Sequence, residues 1–191
     1  MQRFDVVILG GGLVGLTLGI ALSRHGVSCA VIDPADPVDT VVAGFDGRVS
    51  AISSTSFAML DAIGVAAHLA GKGCPIERIW VSDGLQPGAL DFAPDGEDGH
   101  MGVMVPNREL RVALARAADE ADRLTRFQPD RAVDVTRNAD GVTLRLASGV
   151  ELGGALLVAA EGRNSPTREA AGINTTRWQY KHTAMVTAID H

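Results

Sequence analysis

The chain has 191 residues, 46% hydrophobic and 21% charged, with a net charge of −6, the composition of a globular protein long enough for one domain and part of another. The negative balance and the lack of a basic cluster exclude electrostatic binding to nucleic acid and a polybasic membrane anchor. Cys29 and Cys74 are too few for a disulfide framework, and the five histidines form no H-x-x-x-H pair, so the expectation is a cytoplasmic protein with reduced thiols and no metal. No apolar run reaches membrane-spanning length, which predicts neither a transmembrane segment nor an export signal.

In chain order, Val6, Val7, Ile8 and Leu9 form a short apolar run of the kind expected for a strand buried on both faces of a parallel sheet. Gly10, Gly12 and Gly15 follow with G-x-G-x-x-G spacing. The three glycines have separate steric tasks: a tight turn, backbone approach to a pyrophosphate, and close packing of helix on strand. A helix over residues 13–25 then directs the free N–H groups of its first turn, at Leu13 and Val14, toward whatever lies over the turn. Gly26 closes that helix, and a second strand over 28–32 ends in Asp33, eighteen residues after Gly15. A carboxylate there is placed to grip an adenosine ribose and to repel a 2′-phosphate.

Residues 34–47 read as a loop punctuated by proline and glycine. Arg48 stands just before a helix start, with Ser53 or Ser54 as the N-cap, Phe57, Leu60 and Ile63 facing a core, and Gly64 as terminator. Strands are expected over 76–82 and 89–92, joined by a turn at Asp83-Gly84, and an acidic loop over 94–100 leads to another strand over 101–105. Asn107 is the expected N-cap of the next helix, which carries Arg108 and Arg111 in its first turns. Cations are poorly matched to the dipole there, which points to an anion at Arg108. A β-meander follows, with Val133 and Val135 on one strand and Val142, Leu144 and Leu146 on the next. A buried strand over 155–160 then runs into Glu161-Gly162 and a helix capped by Ser165 with Pro166 at its first position. A last strand is expected over 184–189.

Four segments in this order resemble the class A flavin-dependent aromatic hydroxylases of the para-hydroxybenzoate hydroxylase superfamily. They are the glycine fingerprint with Asp33; Asp46-Gly47-Arg48-Val49-Ser50-Ala51-Ile52; Asn107-Arg108-Glu109-Leu110; and Ala160-Glu161-Gly162-Arg163-Asn164-Ser165 with Arg168. Within the superfamily the chain most resembles the ubiquinone-biosynthesis hydroxylases, those of the 2-octaprenyl-6-methoxyphenol type, to which Tyr180-Lys181-His182-Thr183-Ala184-Met185-Val186 is also similar.

The resemblance implies an α/β fold: a Rossmann-like FAD-binding domain with a parallel sheet and an antiparallel β-meander, plus part of a β-rich substrate domain. Residues 1–75 and 105–175 would bind FAD discontinuously, and 76–104 and 176–191 would contribute a partial substrate-domain sheet. It implies that Gly10, Gly12, Leu13, Val14 and Gly15 hold the FAD pyrophosphate and Asp33 the ribose. Arg48 would reach the flavin side as a fixed cation, and Arg108 would meet the diphosphate or ribityl chain. Backbone groups at Val133 would meet adenine, and Glu161 and Gly162 would lie near the ribityl region and contribute to NAD(P)H binding. Glu161 stands where the family has Asp. The family's third flavin segment, built on a Gly-Asp pair, has no counterpart here, so the chain is expected to be the N-terminal portion of such an enzyme, inactive alone.

The implied reaction is NAD(P)H- and O2-dependent hydroxylation of a phenol, a polyprenylated ubiquinone precursor, with room for peripheral contact with the inner membrane. Two alternatives remain at this stage: an FAD-dependent reductase or halogenase of the same fold, and a non-catalytic nucleotide-binding remnant.

Overall fold

The computed structural model describes residues 1–38, 47–82, 84, 90–94 and 99–183. Its main layer is a six-stranded sheet, in the order β8 (Leu124–Phe127), β2 (Cys29–Ile32), β1 (Gln2–Leu9), β11 (Glu151–Ala159), β10 (Gly141–Leu146), β9 (Ala132–Asn138). The first four strands run parallel, and β10 and β9 return antiparallel.

β1 is apolar throughout its second half because both of its faces are covered. Val6 and Ile8 pack with Cys29 and Val31 against the helices α1 (Leu13–Arg24) and α3 (Asn107–Asp119). Val7 and Leu9 pack with Ala30, Ile32, Leu144 and Leu146 on the opposite side. β10 pairs with β11 only over Glu151–Gly154, so the meander leaves the plane of the sheet and curls back over that second face. Period-two alternation within one strand thus feeds two cores. Burial pushes the Cys29 thiol up to about 11, with the charge of Asp5 adding to the effect. Its Sγ donates to the Gly19 carbonyl.

Two smaller sheets hang from this body. β3 (Val49–Ser53), β7 (Gly102–Pro106) and β4 (Cys74–Pro75) form one, in the order β3-β7-β4. β5 (Ile79–Val81) and β6 (Leu90–Phe92) form a two-stranded ribbon. Between β3 and β4 lie α2 (Ser54–Ala62) and a 3-10 turn over Ala66–Leu69, and α4 (Pro166–Ala170) follows β11.

Several expectations are sharpened. The lead-in after Arg48 is a strand, β3, whose pairing with β7 supplies backbone partners that no local signal announces. β8 adds a parallel strand beyond β2 that the sequence reading omits. Ser53 is the N-cap of α2, its Oγ accepting from the Ser56 N–H. Pro106, not Asn107, caps α3; the Asn107 N–H donates to the Arg48 carbonyl and its Oδ1 accepts from Ser50 Oγ, so the side chain is spent on β3. The expected strand over 184–189, Asp46, and parts of the 83–84 turn and the 94–100 loop lie outside the described residues.

Candidate cofactor-binding site

The glycine turn sits where β1, β2 and β11 end together. Gly10 has φ +104, its N–H donates to the Ile32 carbonyl at 2.8 Å, and a Cβ on it would lie 2.4 Å from the Ala160 carbonyl oxygen. Gly15 is held harder still: a Cβ there would lie 1.8 Å from the Gly10 oxygen. These two glycines let helix, strand and neighbouring strand touch through backbone.

Gly12 differs. It has extended φ/ψ and a Cβ on it would meet no atom of the described residues within 4 Å, so among them neither strain nor packing demands a glycine. What the missing side chain leaves is open space at the N-terminus of α1. That end has no side-chain cap and no acidic residue in its first turn, so its amides and partial positive charge face the opening. Val14 lies beside it, 73% exposed.

The opening continues into a cavity of about 510 Å³ whose wall includes Gly11, Gly12, Leu13, Asp33, Arg111 and Gln128. Asp33 is fixed from two sides, its Oδ2 accepting from the Gly11 N–H at 2.6 Å and its Oδ1 from the Ala35 N–H at 2.8 Å. A carboxylate has about four acceptor positions, so the oriented group keeps capacity for a vicinal diol. Open amides at a helix start, followed by a positioned carboxylate in the same cavity, fit the diphosphate and ribose of a dinucleotide.

A second cavity, of about 530 Å³, flanks the turn on the other side, and its wall includes Leu9, Val133, Arg137, Glu161 and Thr167. Val133 and Glu161 therefore come together, but against a different wall from Asp33. Val133 stands at a β-bulge: Asp134 pairs with Arg145 and Ala132 with Leu146, leaving Val133 the unpaired extra residue. The bulge breaks the alternation expected of Val133 and Val135 and turns Val133 outward. The Glu161 Oε2 accepts from Ser165 Oγ and from the Thr167 N–H at 3.2 Å, while Ser165 Oγ accepts from the Arg168 N–H at 3.1 Å. Glu161 thus works within the cap of α4. Gly162 follows with φ +78 and open space around it.

Arg48 and Arg108 lie at a third corner. The bond from the Asn107 N–H to the Arg48 carbonyl brings their backbones together, and Arg108 Nη1 donates to Glu109 Oε1 at 2.8 Å. Arg111 is the basic residue of α3 that reaches the cavity wall. Its signal in the sequence was helical spacing, because Arg111, Leu114, Ala115 and Asp119 make one stripe along α3, and all four line the cavity.

The family described as FAD binding domain matches residues 3–190. The chain is 42% identical over 98% of its length to a ubiquinone hydroxylase, UbiL, of Rhodospirillum rubrum, covering 44% of that protein. It is 30% identical to 3-demethoxyubiquinol 3-hydroxylase of Escherichia coli, again over 98% of the chain and 49% of the relative. The chain thus spans about half the length of these curated relatives. Among solved structures, PqsL of Pseudomonas aeruginosa, described as a probable FAD-dependent monooxygenase, superposes with a TM-score of 0.77 at 21% identity, over 94% of this chain and 48% of its own. The flavin-dependent monooxygenase PieE, solved with FAD and substrate, gives 0.67 at 21% identity, over 89% and 32%. These two likenesses carry the fold alone. With its glycine turn and parallel sheet as described and 188 of its residues matched, the chain belongs to the FAD-binding domain family.

Proposed function

We propose that this chain is the FAD-binding portion of a monooxygenase that uses NAD(P)H and O2 to hydroxylate a phenolic ring, with a polyprenylated ubiquinone precursor as substrate. The observation that carries the cofactor reading is the unfilled space at Gly12, opening on a cavity that ends at an oriented Asp33. The 42% identity to a ubiquinone hydroxylase supports the reaction and substrate class.

In this reading the amides of Leu13, Val14 and Gly15 bind the diphosphate, and Asp33 accepts from the ribose hydroxyls. Val133 supplies backbone groups to adenine, and Arg108 meets the ribityl end of the diphosphate. Glu161 and Gly162 set the far rim, toward the nicotinamide nucleotide. Arg48 is a fixed cation toward the flavin side, where its charge stabilises negative charge without exchanging a proton. Bound FAD would supply the redox chemistry, taking two electrons from NAD(P)H so that one oxygen atom of O2 enters the ring and the other leaves as water. Residues 1–75 and 105–175 form the cofactor unit in this reading, and 76–104 and 176–191 begin the substrate sheet. Contact with the inner membrane is peripheral.

The test is a spectrum and a turnover. The protein carrying this chain should take up FAD, oxidise NAD(P)H with consumption of O2, and release a hydroxylated phenol. NAD(P)H oxidation that runs equally well without O2 would favour a reductase. A colourless protein that refuses added FAD would leave only a remnant fold.

A further inference from the structure

We propose that the corner of the molecule around α4 is the face that lies on a bilayer, with a cluster of arginines receiving the phosphates of anionic lipid headgroups and Trp178 and Tyr180 seated among them. A cavity of about 690 Å³ at this corner is lined by Arg163, Arg168, Arg177, Thr175, Trp178 and Tyr180. Arg168 Nη1 donates to the Arg163 carbonyl at 2.9 Å, and Arg177 Nη2 donates to the same oxygen at 3.3 Å. Two guanidiniums are thereby held side by side at one neutral acceptor. Arg168 Nε and Nη2 are closed off from water with no hydrogen-bond partner among the described residues, and the carboxylate paired with Nη2, that of Glu169, stands 3.8 Å away and is 66% exposed. Like charges gathered in this way give the cavity a positive potential that an anion would relieve.

The rim is apolar. Trp178 and Tyr180 meet edge to face with ring centroids 6.4 Å apart, yet they are 69% and 70% exposed. Ile173, whose N–H donates to the Arg168 carbonyl at 3.2 Å, is 60% exposed beside them. Rings with an apolar body and a polar tip suit the headgroup layer of a membrane, and an arginine fork bonds two phosphoryl oxygens at once. Between residues 162 and 183 the chain carries Arg163, Arg168, Arg177 and Lys181 against Glu169, within a protein whose net charge is −6. No run of the sequence is polybasic, because these cations are scattered and the turn after α4 brings three of them to one cavity. A negative body with one cationic, aromatic corner is steered onto an anionic surface by that corner.

The inference rests on the polyprenylated substrate proposed above, a molecule at home in a bilayer, and the experiment keeps the two separable. The full chain is floated with vesicles of phosphatidylcholine alone and of phosphatidylcholine mixed with phosphatidylglycerol. Wild type should float with the mixed vesicles, weakly with the neutral ones, and less as salt is raised. Loss of one cation at the surface predicts about 5-fold weaker binding to the mixed vesicles by Arg177→Gln, while Arg145→Gln, which loses the same charge from β10, should bind as wild type does. In a Trp80→Phe background Trp178 is the remaining indole, and its emission should shift to the blue on the mixed vesicles and not on the neutral ones. FAD uptake should be the same in all these proteins. Equal flotation with both vesicle types, an unshifted Trp178, or equal losses in Arg177→Gln and Arg145→Gln would overturn the assignment and leave the FAD reading standing. So would self-association abolished by Trp178→Ala, or ADP bound more weakly by Arg177→Gln, in a wild type that ignores vesicles, since the corner would then serve a second copy or a soluble phosphate. A wild type that floats but refuses FAD would sink the cofactor reading alone.

Discussion

β1 and the β5–β6 ribbon are both written in apolar letters, yet they end in opposite environments. Val7 and Ile8 are fully buried, whereas Ile79 and Val81 of β5 and Leu90 and Phe92 of β6 are all exposed. In β1 each face has a layer assigned to it, helices on one side and the meander on the other. The ribbon pairs Ile79 with Phe92 and Val81 with Leu90 on one face, while Arg78 crosses the other face to bond Asp91 and stack 5.0 Å from the Trp80 ring. A two-stranded ribbon has too little surface to bury its own apolar face. The difference is one of neighbours, not of residues, and the glycine turn grows from the side that has them. A binding cradle on a doubly covered strand inherits the strand's rigidity.

That contrast can be attacked from its strong end downward. Gly15→Ala should be the most damaging change, since its Cβ would lie 1.8 Å from the Gly10 oxygen and backbone on both sides must move; a loss of about 3 kcal/mol in urea unfolding is expected. A near-neutral result would mean that helix and strand are not locked there.

Next comes pH. The folded Cys29 thiol is raised to about 11 from 9.0, so the native state holds that proton more tightly than the unfolded chain does. The associated stability is complete below about pH 9 and is lost as pH climbs toward 11, by on the order of 2 kcal/mol. Chemical unfolding of wild type and Cys29→Ala across that window should show the decline in the first and less of it in the second. Iodoacetamide should reach the exposed Cys74 well before Cys29.

Glu161→Ala removes the acceptor for Ser165 Oγ and the Thr167 N–H and should cost about 1 kcal/mol, read as faster amide exchange in α4. The smallest effect belongs to the ribbon, where Phe92→Ala should change the stability of this chain by less than about 0.5 kcal/mol, because the ring gives up little burial. A loss of several times that would show the ribbon docked.

The sequence made the β1–α1–β2 unit legible because its signals are local: a β-branched run, three glycines at fixed spacing, a closing glycine and a carboxylate at the next strand end. Those residues hold the positions that their spacing implies, with Gly10 and Gly15 jammed against backbone and Gly12 open. What was not legible depends on partners far away in the chain. β3 exists because β7 lies beside it, and Asn107 is drawn from its expected capping role by Ser50, fifty-seven residues earlier. Val133 is turned out by a bulge fixed by a register shift against β10. Arg111 was visible as a residue but not as a wall, since only the stripe 111, 114, 115 and 119 taken together shows which side of α3 faces the cavity.

Fold and ligand ask different things of the three glycines, and Gly12→Val separates them most directly. With no atom of the described residues within 4 Å of its Cβ and an extended backbone, the substitution should leave the Tm within a few degrees of wild type while FAD affinity falls by at least about 100-fold. A stable Gly12→Val protein that binds FAD as tightly as the wild type would contradict the claim that the space left by that missing side chain is where the cofactor's diphosphate lies.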